Sequence, residues 1–180
     1  MRTPPAATVR PLAALLCVLT VLAGGCGSGP GPRAWAAAVC QALTPWRVAI
    51  GDLTASTQRQ MTATTTPAQA QENLVRLMAG AEEASERARK AVQDAGVPDV
   101  DQGEAVARGF LTSLGAVRDA YGRARRTIEG LSTASAGAFY AGVRAAVDTL
   151  GREYDASALD TSRLDSPELR RAFDEVPECR

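Results

Sequence analysis

The chain has 180 residues, with 20 basic and 20 acidic side chains, no histidine and four cysteines. A balanced charge gives no electrostatic reason to expect a nucleic-acid partner. The missing imidazole removes Ser-His-Asp and Cys-His nucleophile activation together with the commonest transition-metal ligand.

Residues 1–25 read as an export signal. Arg2 and Arg10 open it, an apolar run of 11 residues interrupted only by Thr20 follows from Leu12 to Leu22, and Ala23-Gly24-Gly25 precedes Cys26. Crossing a hydrocarbon core as a helix takes about 20 apolar residues, so the run is too short for a permanent span and suits a cleaved signal. Leu22-Ala23-Gly24-Gly25-Cys26 resembles the lipobox of bacterial lipoproteins. That resemblance implies cleavage before Cys26 and a diacylglycerol on its thiol, with the mature protein held on the extracytoplasmic face of the cell membrane. Arg2 and Arg10 are not adjacent, so nothing points to the twin-Arg route. Cleavage removes two arginines and no acid, leaving 18 basic and 20 acidic residues and a net charge of −2.

Residues 26–32 comprise the lipidated Cys26 and a Gly/Pro/Ser linker, and 33–180 form the expected domain. Six linker residues extend to about 20 Å at most, which keeps the domain near the membrane surface. Cys17 leaves with the signal and Cys26 takes the lipid. Cys40 and Cys179 remain, and an even pair in an exported chain is expected to bridge.

Within the domain, Trp35, Val39, Leu43, Trp46, Ile50 and Leu53 share one helical face and predict a helix over about 33–57. Pro45 either kinks it or starts a second segment with Thr44 as N-cap. Thr62 to Thr66 reads as a loop. Thr66-Pro67-Ala68-Gln69 carries the signature of a capping box and opens a second helix. Its stripe is Ala70, Leu74, Leu77, Ala81, Ala84, Ala88, Ala91 and Ala95, and Gly96 and Pro98 stop it. Glu83 with Arg87, and Glu86 with Lys90, stand at i,i+4 on the opposite, solvated face.

A third helix, about 101–131, follows Val106, Phe110, Leu114, Val117, Tyr121, Ala124, Ile128 and Leu131. Its glycines Gly109, Gly115 and Gly122 either allow close helix approach or are tolerated. A fourth, about 135–151, is marked by Ala136, Phe139, Val143, Ala146 and Leu150 and is expected to end at Gly151. Ser166-Pro167-Glu168-Leu169 starts a short fifth helix that turns Leu169 and Phe173 inward, and Pro177 stops it. No segment alternates long enough for a strand. The expected fold is all-α, an antiparallel four-helix bundle with a short C-terminal helix tied by the Cys40–Cys179 disulfide.

The lipobox, the Ala-rich and Lys-poor composition, the spacing Trp35-x4-Cys40-x2-Leu43-x2-Trp46-x3-Ile50 and the terminal Pro177-Glu178-Cys179 together resemble the small secreted lipoproteins of actinobacteria. The resemblance implies an envelope location and a helical bundle, and no reaction.

Candidate chemistry is sparse. Asp99-Val100-Asp101-Gln102-Gly103-Glu104 departs from a calcium loop at its third ligand, its glycine and its distal Glu, and acidic residues at a helix start have an ordinary capping role. Lys90, the lone lysine, lies in a run of surface charges. No metal, cofactor or catalytic set is expected. Arg118, Arg123, Arg125 and Arg126 make a basic stretch, either a solvated face supported by Asp119 and Glu129 or a contact for anionic lipid headgroups. Trp35 and Trp46 are either core or an exposed ligand or membrane-interface pair. The functional expectation is a non-enzymatic, membrane-tethered accessory module that binds an envelope protein; the alternative is a carrier or sensor of a small apolar ligand held between its helices, around Trp35, Trp46, Phe110, Tyr121 and Phe139.

Overall fold

The computed structural model describes residues 29–157 and 164–180; residues 1–28, on which the expected export signal and lipidated Cys26 fall, and residues 158–163 lie outside the described residues. Helix α1 spans Pro32–Gln60, α2 Pro67–Asp94, α3 Gly103–Glu129, α4 Ala136–Ala156 and α5 Pro167–Glu175, with a short 3-10 turn at Pro177–Cys179. Among the described residues there is no strand. Neighbours run antiparallel: the Trp35 indole at the start of α1 donates to the Gly96 carbonyl just past the end of α2, 2.9 Å away. Gln71, near the start of α2, donates to the Ile128 and Leu131 carbonyls at the end of α3.

Pro45 lies inside α1, which continues through it as a single helix. The proline withholds the N–H that Gln41 would otherwise receive, but Gln41, Thr44 and Pro45 are all exposed, so water can serve the freed carbonyl. Thr44 does not cap a second segment; its hydroxyl donates back to the Cys40 carbonyl at 2.9 Å. The α2 start follows its sequence signal closely. Thr66 accepts from the Gln69 N–H, and the Gln69 side chain accepts from the Thr66 N–H at 3.0 Å, completing the capping box. Gly96 then takes φ 75°, a left-handed conformation that closes the helix at low steric cost. Helix α4 passes Gly151 and ends at Ala156. A lone glycine costs a helix about 1 kcal/mol, and with no capping turn at that point the cost is simply absorbed.

Two clusters form the core. One gathers Trp35, Val39, Ala88, Val92, Phe110, Leu114, Leu169 and Phe173 at the end where α5 packs. The other gathers Met78, Ala81, Val117, Tyr121, Ala124, Ile128 and Ala146 toward the opposite end. In the C-terminal half of α2 the stripe turns from Ala88 to buried Val92, and Ala91 is exposed instead. Ser85 sits in this alanine stripe, fully buried, donating to the Ala81 carbonyl at 2.8 Å and accepting from the Trp46 indole at 3.0 Å. Both halves of its hydroxyl chemistry are satisfied, so its burial carries no orphan penalty.

Cys40 and Cys179 form a disulfide across a separation of 139 residues, with Cα atoms 5.1 Å apart. The bridge holds the C-terminal turn against α1. Helix α4 leans on α3, and no Cα of α1 comes within 8 Å of a Cα of α4. The four helices therefore enclose an unequal bundle, tight at the α1–α2 and α2–α3 seams and open between α1 and α4.

Candidate functional site

The open seam forms a groove of about 490 Å³ among the described residues. Helix α1 supplies Cys40, Leu43, Trp46 and Arg47, at spacings that keep them on one face. Helix α3 supplies Phe110, Leu114 and Val117 as the floor, and all three are nearly inaccessible, at 1%, 0% and 5%. A ligand would therefore touch mainly the walls, where Leu43 and Trp46 face Tyr154 and Ser157 at the end of α4. Phe173, Asp174 and Cys179 close the side toward the C-terminus. The volume lies in the range of small-molecule sites, which combine apolar walls with a few polar groups.

The two tryptophans separate. Trp35 is fully buried, edge-on to Phe110 at 5.2 Å and to Phe173 at 6.0 Å between ring centroids. Trp46 is half-buried, anchored through its N–H to Ser85, and presents its remaining face to the groove. Phe139 is buried elsewhere, against Tyr140, and Tyr121 belongs to the second cluster. The five aromatic residues of the sequence stripe therefore do not line one cavity; Trp46 and Phe110 are the two that meet the groove. Burial raises the Tyr121 phenol above its usual range, with the Tyr154 charge a smaller cause.

The arginines of α3 are drawn into interhelical pairs. Arg118 binds Glu86 of α2 at 2.8 Å and its neighbour Asp119 at 2.7 Å. Arg125 reaches Glu82 of α2 at 3.1 Å and Glu129 at 3.5 Å. Arg123 engages both carboxylate oxygens of Glu153 on α4, the nearer at 3.0 Å, rather than Asp119. Arg126 is exposed. Three of the four are thus matched by carboxylates from neighbouring helices, which leaves little net positive potential for anionic headgroups.

Glu86 is the centre of this network. It stands 3.9 Å from Lys90, but its principal partners are Arg89, at 2.9 Å, and Arg118. Hydrogen bonds from Arg89 and then Arg118 hold its carboxyl down at about 2. Gly122 makes room for the neighbouring clamp, since a Cβ there would stand 2.7 Å from Glu82 Oε1. Gly109, by contrast, faces open space. The i,i+4 spacing that points to Asp119 and Glu129 carries no sign of Glu82, Glu86 and Glu153, which reach the arginines from other helices. Ser85 leaves only a faint signal in the sequence, a small polar residue on the inward side of an alanine stripe.

The acidic segment after α2 is a structural turn. Gln102 has φ 59°, and a Cβ on Gly103 would lie 2.1 Å from the Pro98 carbonyl oxygen, so the close return of the chain requires glycine there. Glu104 pairs with Arg108 at 3.0 Å. No cluster of three or more metal-ligating acidic or cysteine side chains occurs among the described residues, and no described helix is long and apolar enough to cross a membrane. Gly29 and Pro30, expected as free linker, are seated on this same turn: the Asp99 N–H donates to the Pro30 carbonyl at 2.9 Å. Compared with known proteins, the chain matches no family model, no curated protein and no solved structure.

Proposed function

We propose that this chain is a lipid-anchored module on the extracytoplasmic face of a bacterial cell membrane, and that it acts by binding an envelope component rather than by catalysis. The lipobox at the end of the apolar run is the observation that carries the location. The Cys40–Cys179 bridge supports it, because such bonds persist in oxidising compartments. A binding role is supported by the lack of histidine and by the engagement of the charged residues of α3 in interhelical pairs. Cys26→Ala should abolish lipid attachment and impair cleavage before residue 26, leaving the precursor with its apolar signal run. Mass spectrometry of the wild-type mature N-terminus showing an unmodified Cys26 overturns the proposal.

The groove favours a second reading, a carrier or sensor of a small apolar molecule. Its polar groups, Arg47, Tyr154, Ser157 and Asp174, stand around apolar walls and would orient a ligand with a polar end. An apolar fluorescent dye titrated onto the protein tests it. Under this reading Leu43→Arg abolishes dye binding with the fold retained, and equal binding by both proteins removes the groove as the site.

A further inference from the structure

The seating of Gly29 and Pro30 determines which end of the bundle meets the bilayer, and this inference rests on the acylation of Cys26 proposed above. A Cβ on Gly29 would stand 2.0 Å from the Val97 carbonyl oxygen, and the Pro30 carbonyl accepts the Asp99 N–H, so the segment is fixed on the turn between α2 and α3. Only residues 27 and 28 separate Gly29 from Cys26. Three Cα–Cα steps span at most about 11 Å. The anchor leaves no slack for the domain to present any other end at the attachment point.

We infer that the turn 96–104 and the first turn of α1 form the membrane-facing end, and that the bundle stands on it with the loops at 61–66 and 130–135 held distal. A helix of 29 residues such as α1 is about 43 Å long, so the distal loops lie well beyond the headgroup layer. Two features keep the bundle from lying on its side. The mature chain carries a net charge of −2, which an anionic leaflet repels weakly. The basic stretch of α3, which would be the natural contact for such a leaflet, is already paired at Arg118, Arg123 and Arg125. In the upright stance these arginines begin about 22 Å along α3 from Gly103, out of reach of headgroups. The membrane-facing end is itself net acidic, with Asp99 and Asp101 beside the Glu104–Arg108 pair, and carries exposed Val97, so the short tether rather than charge attraction holds it at the surface.

The mature acylated protein has Cys26 blocked by lipid and Cys40 bridged to Cys179, so one introduced cysteine is its sole reactive thiol. Asp101→Cys and Ala63→Cys, both at exposed positions at opposite ends, are labelled with a donor dye and reconstituted into phosphatidylcholine–phosphatidylglycerol vesicles bearing a headgroup acceptor. Energy transfer at position 101 should exceed that at position 63 roughly twofold or more, given ends about 43 Å apart. Equal transfer means that the bundle lies flat and overturns the inference, as does a reversed order. Gly29→Val unseats the segment and should bring the two positions toward equality, with helical content retained by circular dichroism; an unchanged contrast shows that the segment does not set the orientation. Protein that carries no lipid by mass and stays off the vesicles defeats the anchor itself, an outcome distinct from a lipidated bundle in the wrong pose.

Discussion

Truncating Trp35 tests the arrangement of the core most directly, because its indole joins three elements. It is fully buried, packs edge-on against Phe110 of α3 and Phe173 of α5, and donates to the Gly96 carbonyl at the end of α2. Removing a large aromatic from such a site costs about 3–5 kcal/mol. Gly96 is exposed, so water can serve its carbonyl and no further penalty is added for an orphaned acceptor. Against a total of about 5–15 kcal/mol for an ordinary domain, Trp35→Ala should lose roughly a fifth or more of the stability and lower the thermal midpoint by roughly 6–20 °C. Trp46→Ala is the internal control. Trp46 is half-buried, and Ser85 keeps its bond to Ala81 when the indole is gone, so the loss should be about 1–2 kcal/mol. Urea denaturation followed by circular dichroism compares the three proteins. Equal losses for the two variants, or a Trp35→Ala loss below about 1 kcal/mol, would refute the placement of Trp35 at the junction of α1, α3 and α5.

Glu86→Gln should weaken the α2–α3 seam and flatten its acid response. The folded carboxyl is held at about 2 against an ordinary value of 4.5, so its contribution is complete above pH 4.5 and lost as pH falls through about 2. With solvent screening at this quarter-exposed site the contribution is about 1–2 kcal/mol, and an unchanged pH dependence of the urea midpoint in the variant would remove Glu86 as its source. Paired replacement of Cys40 and Cys179 by serine should cost up to about 5 kcal/mol, the chain-entropy limit for so long a loop, and amide exchange should show α5 opening first; protection of α5 equal to that of α3 would count against the bridge as its main restraint. Gly151→Ala should stabilise by about 0.5–1 kcal/mol, since the residue is helical and a Cβ there meets nothing within 4 Å. A lower thermal midpoint would contradict the extension of α4 past this residue.

Local signals were legible in the amino-acid order wherever neighbours along the chain supply the physics. The all-helical class, the capping box at Thr66 and Gln69, the left-handed stop at Gly96 and the inward series Phe110, Leu114, Val117, Tyr121, Ala124 and Ile128 all follow from periodicity and cap chemistry. The pairing of Cys40 with Cys179 follows from cysteine arithmetic once Cys17 is assigned to an expected export signal and Cys26 to an expected lipid anchor. What required the tertiary structure are the choices between partners of similar local merit. Glu86 has Lys90 one turn away at 3.9 Å, yet its oxygens are taken by Arg89, which grips both of them from the same turn, and by Arg118, which arrives from α3 and is invisible to any reading along α2 alone. Trp35 and Trp46 are indistinguishable on a helical wheel; α5 covers the first, while the open seam between α1 and α4 leaves the second half-exposed. Gly29 and Pro30 have the composition of a free linker, and only the return of the α2–α3 turn to meet them fixes them in place. Periodicity states which face of a helix turns inward, but which helix stands opposite, and how closely, is set by packing that no single segment encodes.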